Sequence, residues 1–168
     1  WDQKKLLVFG SGKVGMGIIM NALSLGIKTS VVTDLSLYEN ALLEKGMTSV
    51  VDLKNDEGVV SKIKEADYIV SATGIKNALD RPSWVLALLN SKAIFANMGV
   101  EDEYGPLISD SMVLNEKKPL NFLLEEPTHL KFIDASLALH NVLSLALLNT
   151  SGKGICDIPK ALEDHILN

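Results

Sequence analysis

The stretch from Lys5 to Asp34 carries the residues whose types and spacing could do chemistry. An apolar run, Leu6 to Phe9, is followed at once by Gly-Ser-Gly-Lys-Val-Gly, which has the spacing G-x-G-x-x-G. Between a strand and a helix, this pattern is typical of a turn that holds the pyrophosphate of a dinucleotide. The first glycine permits a tight turn, the second lets backbone N–H groups approach phosphate, and the third lets the helix pack on the strand. The helix N-terminus adds unpaired N–H groups and the positive end of its dipole.

A carboxylate follows where ribose recognition requires one. Asp34 ends the next apolar run, 19 positions after Gly15. A carboxylate there accepts hydrogen bonds from a ribose 2′-hydroxyl and repels a 2′-phosphate, so the pattern predicts NAD rather than NADP. Thr33 is the alternative contact if the strand ends one residue earlier. The competing interpretation is a glycine-rich turn in a Rossmann-like domain that binds nothing.

The elements that must position these residues alternate between strands and helices. Helical spacing predicts a first helix from Lys13 to Leu25, stopped by Gly26, with an apolar face of Val14, Ile18, Ile19, Ala22 and Leu25. Further predicted strands cover Thr29 to Thr33, Ser49 to Leu53, Tyr68 to Ser71 and Ala93 to Ala96. Predicted helices cover Ser36 to Lys45, a polar segment capped by Asn55 or Asp56 and ending near Glu65, and a segment opened by Pro82 with Trp84, Val85, Leu88 and Leu89 facing the core. The alternation indicates an α/β protein with a Rossmann-like doubly wound parallel sheet and helices on both faces.

Two small-residue turns follow the fourth and fifth predicted strands. They are Ala72-Thr73-Gly74 and Asn97-Met98-Gly99. The carboxyl ends of parallel strands meet at the edge where doubly wound sheets bind ligands. We therefore expect both turns to contact cofactor, with plain turns as the alternative.

The pattern weakens after Val100. One short strand is predicted at Leu120 to Leu124, and Glu125 with Glu126 is either an acid/base pair or, as we favour, a solvated loop edge. Asp134 is predicted to cap an apolar helix to about Leu148 that contains His140, which we favour as a hydrogen-bonded core residue over a catalyst. A terminal helix, Lys160 to Leu167, follows Pro159. We expect one Rossmann domain over residues 1–150 and a C-terminal tail with a short helix over 151–168.

Composition restricts the partners. The 168 residues include 21 acidic and 16 basic ones, a net charge of −5 with no basic cluster, which argues against nucleic acid and anionic membrane surfaces. Cys156 is the single cysteine, so no internal disulfide can form. With no apolar run of spanning length, signal-peptide pattern or metal-ligand spacing, we expect a cytoplasmic protein without a metal site. Because the sequence starts at Trp1 and the first strand follows almost immediately, we expect an excised part of a longer protein.

Taken together, these turns resemble the NAD-binding domain of S-adenosylhomocysteine hydrolase over nearly the whole chain. The family's G-x-G-x-V-G-x-G is matched at residues 10–17, its T-T-T-G turn is similar to residues 71–74, and its N-I-G-H turn is similar to residues 97–100. Its V-M-D-x-S-F helix start is similar to residues 132–137, and its tail pattern, G-V-x-x-L-P-K-x-L-D-E followed by H-L, to residues 154–166.

The resemblance implies a bound NAD that transiently oxidises the 3′-hydroxyl of a substrate. It also implies a substrate-binding domain absent from this chain, and a homo-oligomer in which the tail, 159–168, reaches a neighbouring protomer. Cofactor contacts then include Asn40, near the adenine-side ribose, and Asn121. Together with the residues argued above, the candidate cofactor-binding set is Gly10, Ser11, Gly12, Lys13, Val14, Gly15, Thr33, Asp34, Asn40, Ala72, Thr73, Gly74, Asn97, Met98, Gly99 and Asn121.

The chain departs from the family at two histidines. Val100 stands at the histidine of N-I-G-H, and Thr128, beside His129, stands at the histidine of a later N-L-x-x-A-x-G-H-P stretch. In the family both lie on the nicotinamide and substrate side, so the catalytic residues stay unassigned. Two alternatives remain open: the coenzyme domain of a 2-hydroxy acid dehydrogenase, for which Arg81 is the only arginine available to clamp a carboxylate, and a non-catalytic NAD-sensing module.

Overall fold

The structure, a computed structural model, describes residues 3–36, 49–123, 130–148, 154 and 160–167. It divides into two compact units, Trp1–Leu123 and Leu124–Asn168. The predicted domain bounds, residues 1–150 and 151–168, remain a prediction.

The first unit is a five-stranded parallel sheet flanked by helices. In chain order its elements are β1 (Lys5–Phe9), α1 (Lys13–Ser24), β2 (Lys28–Thr33), β3 (Ser49–Asp52), α2 (Asp56–Glu65), β4 (Tyr68–Ser71), α3 (Pro82–Leu89) and β5 (Ile94–Asn97). The strand order is β3-β2-β1-β4-β5, with every pair parallel. The order reverses between β1 and β4, which confirms the predicted doubly wound Rossmann-like fold.

Both faces of the sheet are covered, as its apolar strands predict. On one face, Leu6, Val8 and Val31 pack with Ile19 and Ala22 of α1. On the other face the packing partners come from α2 and α3, and the buried residues include Leu7, Phe9, Val32, Val59, Ile63, Ile69, Val85 and Leu88. Burying each large aliphatic or aromatic side chain stabilises the fold by about 1.5–3 kcal/mol. This two-sided core fixes the carboxyl edge of the sheet, where the glycine turn lies.

Most predicted boundaries in this unit are right to within a residue. The helix α1 ends at Ser24, with Gly26 at a φ of +74°, and the side-chain oxygen of Asn55 accepts a 3.0 Å hydrogen bond from the Gly58 N–H at the start of α2. Three core predictions are wrong, because Val14, Leu25 and Leu89 are about half exposed. Val14 borders the cleft described below, and Leu25 is the C-cap residue of α1.

After β5 the chain forms short turns rather than the strand predicted at 120–124. The turns are 3-10 helices at Asp110–Met112, Leu114–Lys117 and Leu120–Leu123. The predicted strand is wrong because Val113, through a single parallel bridge to Phe95, already meets the open edge of β5. The chain turns away just beyond it, through Asn115, Glu116 and Lys117, all with positive φ.

The second unit contains α4 (Leu130–Leu147) and α5 (Lys160–Leu167), which contact each other. The terminal helix lies where it was predicted. The predicted Asp134 cap is wrong, because residues 130–133 are also helical and α4 begins at Leu130. Asp134 therefore lies within the helix, one turn after its start, and is exposed. No helix among the described residues has the length and apolar character needed to cross a bilayer.

Candidate functional site

The glycine turn after β1 has two positions, Gly10 and Gly15, at which a side chain would not fit. The N–H of Gly10 donates to the carbonyl of Val32 at 2.9 Å, and its φ of +98° favours glycine. A Cβ at Gly10 would lie 2.5 Å from the carbonyl oxygen of Ala72, and a Cβ at Gly15 would overlap the carbonyl oxygen of Gly10. These two glycines therefore let β1, β4 and α1 converge.

Gly12 has a different reason to be glycine. It is the N-cap residue of α1 with a φ of −66°, and a Cβ built on it meets no atom within 4 Å. No side chain among the described residues caps this helix, whose first turn contains Lys13, Val14 and Gly15. The N-terminus of α1 therefore borders open space, which is the arrangement that an anion-binding helix end needs.

A buried pair of hydroxyls ties the glycine turn to the end of β2. Ser11 Oγ and Thr33 Oγ1 lie 2.7 Å apart, and both residues are buried. Since the Thr33 hydroxyl is engaged there, Asp34 is the more accessible of the two residues that we weighed as ribose contacts.

Asp34 stands just beyond β2 with its carboxylate about one-third exposed. Its Oδ1 accepts hydrogen bonds from the Ser36 hydroxyl at 2.6 Å and the Ser36 N–H at 3.0 Å, and Lys54 Nζ is 3.9 Å away. The hydrogen bonds from Ser36, with a smaller contribution from Lys54, hold the pKa of Asp34 below its usual value. The carboxylate is therefore ionised at neutral pH and ready to accept further hydrogen bonds.

Asp34 opens onto a cavity of about 410 Å³ on the β2 side of the switch point. Its walls combine the glycine turn with apolar groups from the segments that follow β3 and β4. The lining residues are Gly10, Ser11, Gly12, Thr33, Asp34, Leu53, Ala72, Thr73, Ile75, Ala78 and Arg81. An apolar slot beside a carboxylate is suited to an adenine ring and its ribose.

Arg81 is one of the residues that line this cavity. Its Nη1 donates to the carbonyl of Leu53 at 2.8 Å and to Asp56 Oδ1 at 3.0 Å, and its guanidinium lies 4.3 Å from the centre of the Trp84 ring. The sole arginine is thus held on the same side of the switch point as Asp34.

A second cavity, of about 240 Å³, lies on the β4 and β5 side. It shares Gly12, Ala72 and Thr73 with the first cavity, so the two adjoin across the N-terminus of α1. Its remaining lining residues are Lys13, Val14, Gly74, Met98 and Gly99. The fold thus brings both predicted small-residue turns to one cleft with the glycine turn.

Asn97 supports the cleft through buried hydrogen bonds. It is fully buried; its Oδ1 accepts a hydrogen bond from the Ser71 hydroxyl at 2.9 Å, and its Nδ2 donates to the carbonyls of Gly99, Glu101 and Lys117 at 3.2, 2.8 and 2.6 Å. Its amide therefore orders the loop after β5. Gly15 also supports the cleft, because its lack of a Cβ lets α1 pack against Gly10.

Asn40 lies outside the described residues, as do Glu125 and Glu126. Asn121 belongs to the 3-10 turn Leu120–Leu123, and His140 lies on an exposed surface of α4. Within the described residues, no group of three or more His, Cys, Asp or Glu side chains could hold a metal ion.

Sequence reasoning missed Glu103, which it treated as a loop residue. Glu103 is fully buried, and its carboxylate accepts hydrogen bonds from Thr73 and Gly74 on the wall of the second cavity. No local pattern marks it, because an acidic residue between Asp102 and Tyr104 looks like part of a solvated loop.

Lys117 was missed for the same reason. Its Nζ is buried and contacts Asp102 Oδ2 at 3.0 Å, the Gly105 carbonyl at 2.8 Å and Asp110 Oδ1 at 3.3 Å. These contacts close the loop that carries Glu103.

Comparison with known proteins supports the fold. No protein-family profile matches the chain, and no curated protein sequence matches it either. Among solved structures, it is similar to a chain of dipicolinate synthase from Bacillus halodurans, with a TM-score of 0.51 and 14% identity over 69% of this chain and 36% of that one. Weaker similarities are to ChuY, an anaerobillin reductase from Escherichia coli O157:H7 (TM-score 0.45, 18% identity, 68% of this chain and 63% of that one), and to a diketoreductase (0.42, 15%, 68% and 46%).

At 14% identity the likeness to dipicolinate synthase is one of fold, and the match spans only 36% of that protein's length. The sheet order, the glycine turn and this likeness together make the chain a Rossmann-like α/β protein.

Proposed function

We propose that this chain is a cofactor domain that binds NAD across the carboxyl edge of its sheet. The observation that carries the proposal is the cleft at the switch point, where two adjoining cavities meet at Gly12 and at an N-terminus of α1 that no described side chain caps. The pyrophosphate would lie over that helix end, where N–H groups and the helix dipole favour negative charge. The two cavities would take the two nucleoside halves on either side.

The adenosine half belongs on the β2 side. Asp34 projects from the end of β2 into the cavity of about 410 Å³ and is held ionised by Ser36. A carboxylate in this position accepts hydrogen bonds from the ribose hydroxyls and disfavours a 2′-phosphate. This carboxylate supports NAD rather than NADP as the proposed cofactor.

For the whole protein, we propose an adenosylhomocysteinase-like hydrolase, on the strength of the ordered motif matches in the sequence. NAD, once bound, would supply reversible hydride transfer, and this chain would bind and orient it. A substrate-binding domain outside the chain would supply the acid/base groups, and a homo-oligomer in the cytoplasm would complete the protein. The chain alone should bind NAD without converting S-adenosylhomocysteine.

The 2-hydroxy acid dehydrogenase alternative is less well supported. That chemistry needs an arginine near the nicotinamide to clamp a substrate carboxylate. Arg81 instead lines the cavity that contains Asp34, where Leu53 and Asp56 hold its guanidinium.

The test is calorimetric titration of the full chain with NAD and, separately, with NADP. We expect NAD to bind more tightly, and Asp34→Ala to weaken NAD binding by about tenfold or more, because hydrogen bonds to a charged group contribute about 1.5–3 kcal/mol. Glu101→Ala is the matched control, since it removes an exposed carboxylate from the opposite side of the switch point. A folded chain that binds neither nucleotide would contradict the proposal.

If the full-length protein binds NAD and neither S-adenosylhomocysteine nor adenosine changes its NAD affinity, the non-catalytic NAD-sensing alternative is favoured. Conversion of S-adenosylhomocysteine by the full-length protein, lost on removing NAD, would establish the hydrolase.

A further inference from the structure

Glu103 joins the turn after β4 to the loop after β5 through its side chain. Its Oε2 accepts hydrogen bonds from the Thr73 N–H at 2.8 Å and the Thr73 hydroxyl at 2.7 Å, and its Oε1 accepts one from the Gly74 N–H at 2.8 Å. The Thr73 hydroxyl itself accepts from the Ile75 N–H at 3.1 Å, so its own hydrogen points at Glu103. All three hydrogen bonds to the group come from donors, which is the environment of a carboxylate.

This carboxylate lies directly behind the wall of the 240 Å³ cavity. Thr73 and Gly74 line that cavity, and so does Gly99, where an added Cβ would overlap Glu103 Oε1. Glu103 is fully buried, and its charge is balanced by hydrogen bonds alone, because no ion pair to it occurs within the described residues. A negative charge that is little screened by water therefore faces this end of the cleft.

The ligand group nearest to that charge follows from the proposed function, on which this step rests. With the adenosine half beside Asp34 and the pyrophosphate at the start of α1, the nicotinamide half would lie in the 240 Å³ cavity. The nicotinamide ring carries a positive charge in NAD⁺ and none in NADH. At an effective dielectric constant of about 20, a nearby carboxylate would attract the cationic ring of NAD⁺ but not the neutral ring of NADH, and so would distinguish the two forms. The cationic residue that lines the same cavity, Lys13, is exposed, so its effect on the ring is screened by solvent.

We propose that Glu103 is a positioning residue that makes the cleft favour oxidised NAD⁺ over NADH. It acts in two ways: it holds the Thr73-Gly74 turn in place, and its buried charge stabilises the cationic ring. A scaffold role alone would affect both forms of the cofactor equally, so the ratio of their affinities isolates the electrostatic contribution.

The test measures the dissociation constants of NAD⁺, NADH and AMP for the full chain by calorimetry. The variants are Glu103→Gln, which keeps the shape, removes the charge and replaces one acceptor oxygen by an NH2 group, and Glu101→Gln, which removes an exposed charge two residues away. We expect Glu103→Gln to lower the NAD⁺ affinity relative to NADH by roughly tenfold. We expect AMP, which reports only on the adenosine half, to bind within about twofold of the wild type, and Glu101→Gln to leave the ratio unchanged.

An equal change for NAD⁺ and NADH in Glu103→Gln, or no change, would overturn the inference while leaving the proposed function intact. If circular dichroism shows that Glu103→Gln does not fold, the ratio of the NAD⁺ and NADH dissociation constants of the wild type tests the inference instead. Tighter NAD⁺ than NADH binding supports the role of Glu103, and equal or tighter NADH binding excludes it. A wild type that binds none of the three nucleotides would overturn the proposed function itself, and this inference with it.

Discussion

The hydroxyl oxygens of Ser11 and Thr33 lie 2.7 Å apart inside the protein and connect the glycine turn to the end of β2. One hydroxyl donates and the other accepts, so removing either leaves a buried polar atom without its partner. Together with the hydrogen bond from the Gly10 N–H to the Val32 carbonyl, this contact holds the turn beside Asp34, the next residue after Thr33.

The Ser11–Thr33 bond should be measurable by a double-mutant cycle. We expect Ser11→Ala and Thr33→Val each to lower the free energy of unfolding by about 1–2 kcal/mol, because each leaves the other hydroxyl unsatisfied. The double variant should cost less than the sum of the two, by about 1 kcal/mol. Urea unfolding followed by circular dichroism measures the free energy of unfolding of the wild type, the two single variants and the double variant. Strictly additive changes would show that the two hydroxyls do not interact.

Substitution by alanine should reduce NAD affinity at Gly12 and the stability of the fold at Gly10. Gly12→Ala introduces a Cβ into open space at a φ of −66°, so we expect the melting temperature to change by no more than about 2 °C while NAD affinity falls at least tenfold. Gly10→Ala places a Cβ 2.5 Å from the Ala72 carbonyl at a φ of +98°, and should destabilise the fold by about 2–4 kcal/mol. Thermal melting and NAD titration of both variants make the comparison, and unchanged NAD affinity in a folded Gly12→Ala chain would contradict the proposed pyrophosphate position.

Lys117 should contribute far more to stability than its neighbour Lys118. Lys117→Met leaves Asp102 and the Gly105 carbonyl without the buried ammonium, and we expect a loss of about 3 kcal/mol in the free energy of unfolding. Lys118 pairs with Glu116 at 3.3 Å on the surface, and Lys118→Met should cost at most about 0.5 kcal/mol. Equal effects in chemical denaturation would show that the buried network does not hold the loop.

Stability should fall in acid, and Asp67 should account for part of the fall. The Lys5 N–H donates to one oxygen of Asp67 at 2.9 Å and Lys4 Nζ to the other at 3.0 Å, and these contacts lower the pKa of Asp67 from 3.8. A pKa that is lower in the folded state than in the unfolded state means stabilisation that is complete above about pH 4 and is lost as the pH falls through the folded value. Asp34 and Glu65, whose pKa values are also lowered, act in the same direction.

The urea midpoint of the wild type should therefore be lower at about pH 3 than at about pH 6, and the difference should be smaller for Asp67→Asn. Parallel pH profiles for the two proteins would contradict this assignment.

The segment from β1 to β5 shows how far local sequence determines a fold. Apolar runs bounded by glycine predict β1, β2 and β4, and an alternation of strands and helices admits few arrangements, because parallel crossovers are right-handed and short. The same logic failed beyond Val100. There the chain is held by Asn97, Tyr104 and Lys117, whose partners are distant in sequence and follow no period.

The candidate site divides in the same way. Residues that act through their own backbone, such as Gly10 and Gly12, or that end a strand, as Asp34 does, are visible as spacings. Glu103 is not, because its role depends on two turns that are brought together by the pairing of β4 with β5.

The sequence alone thus determined a Rossmann-like sheet with a glycine turn and a carboxylate after β2, since these follow from hydrophobic periodicity and from the conformational freedom of glycine. Only the tertiary structure decided which polar groups are satisfied by the protein and which remain available to a ligand. Hydrogen-bond partners are set by distances across the sheet edge. They engage Thr33, Asn97 and Glu103 within the fold, whereas Asp34, which accepts hydrogen bonds from Ser36, and the start of α1 still border the cleft.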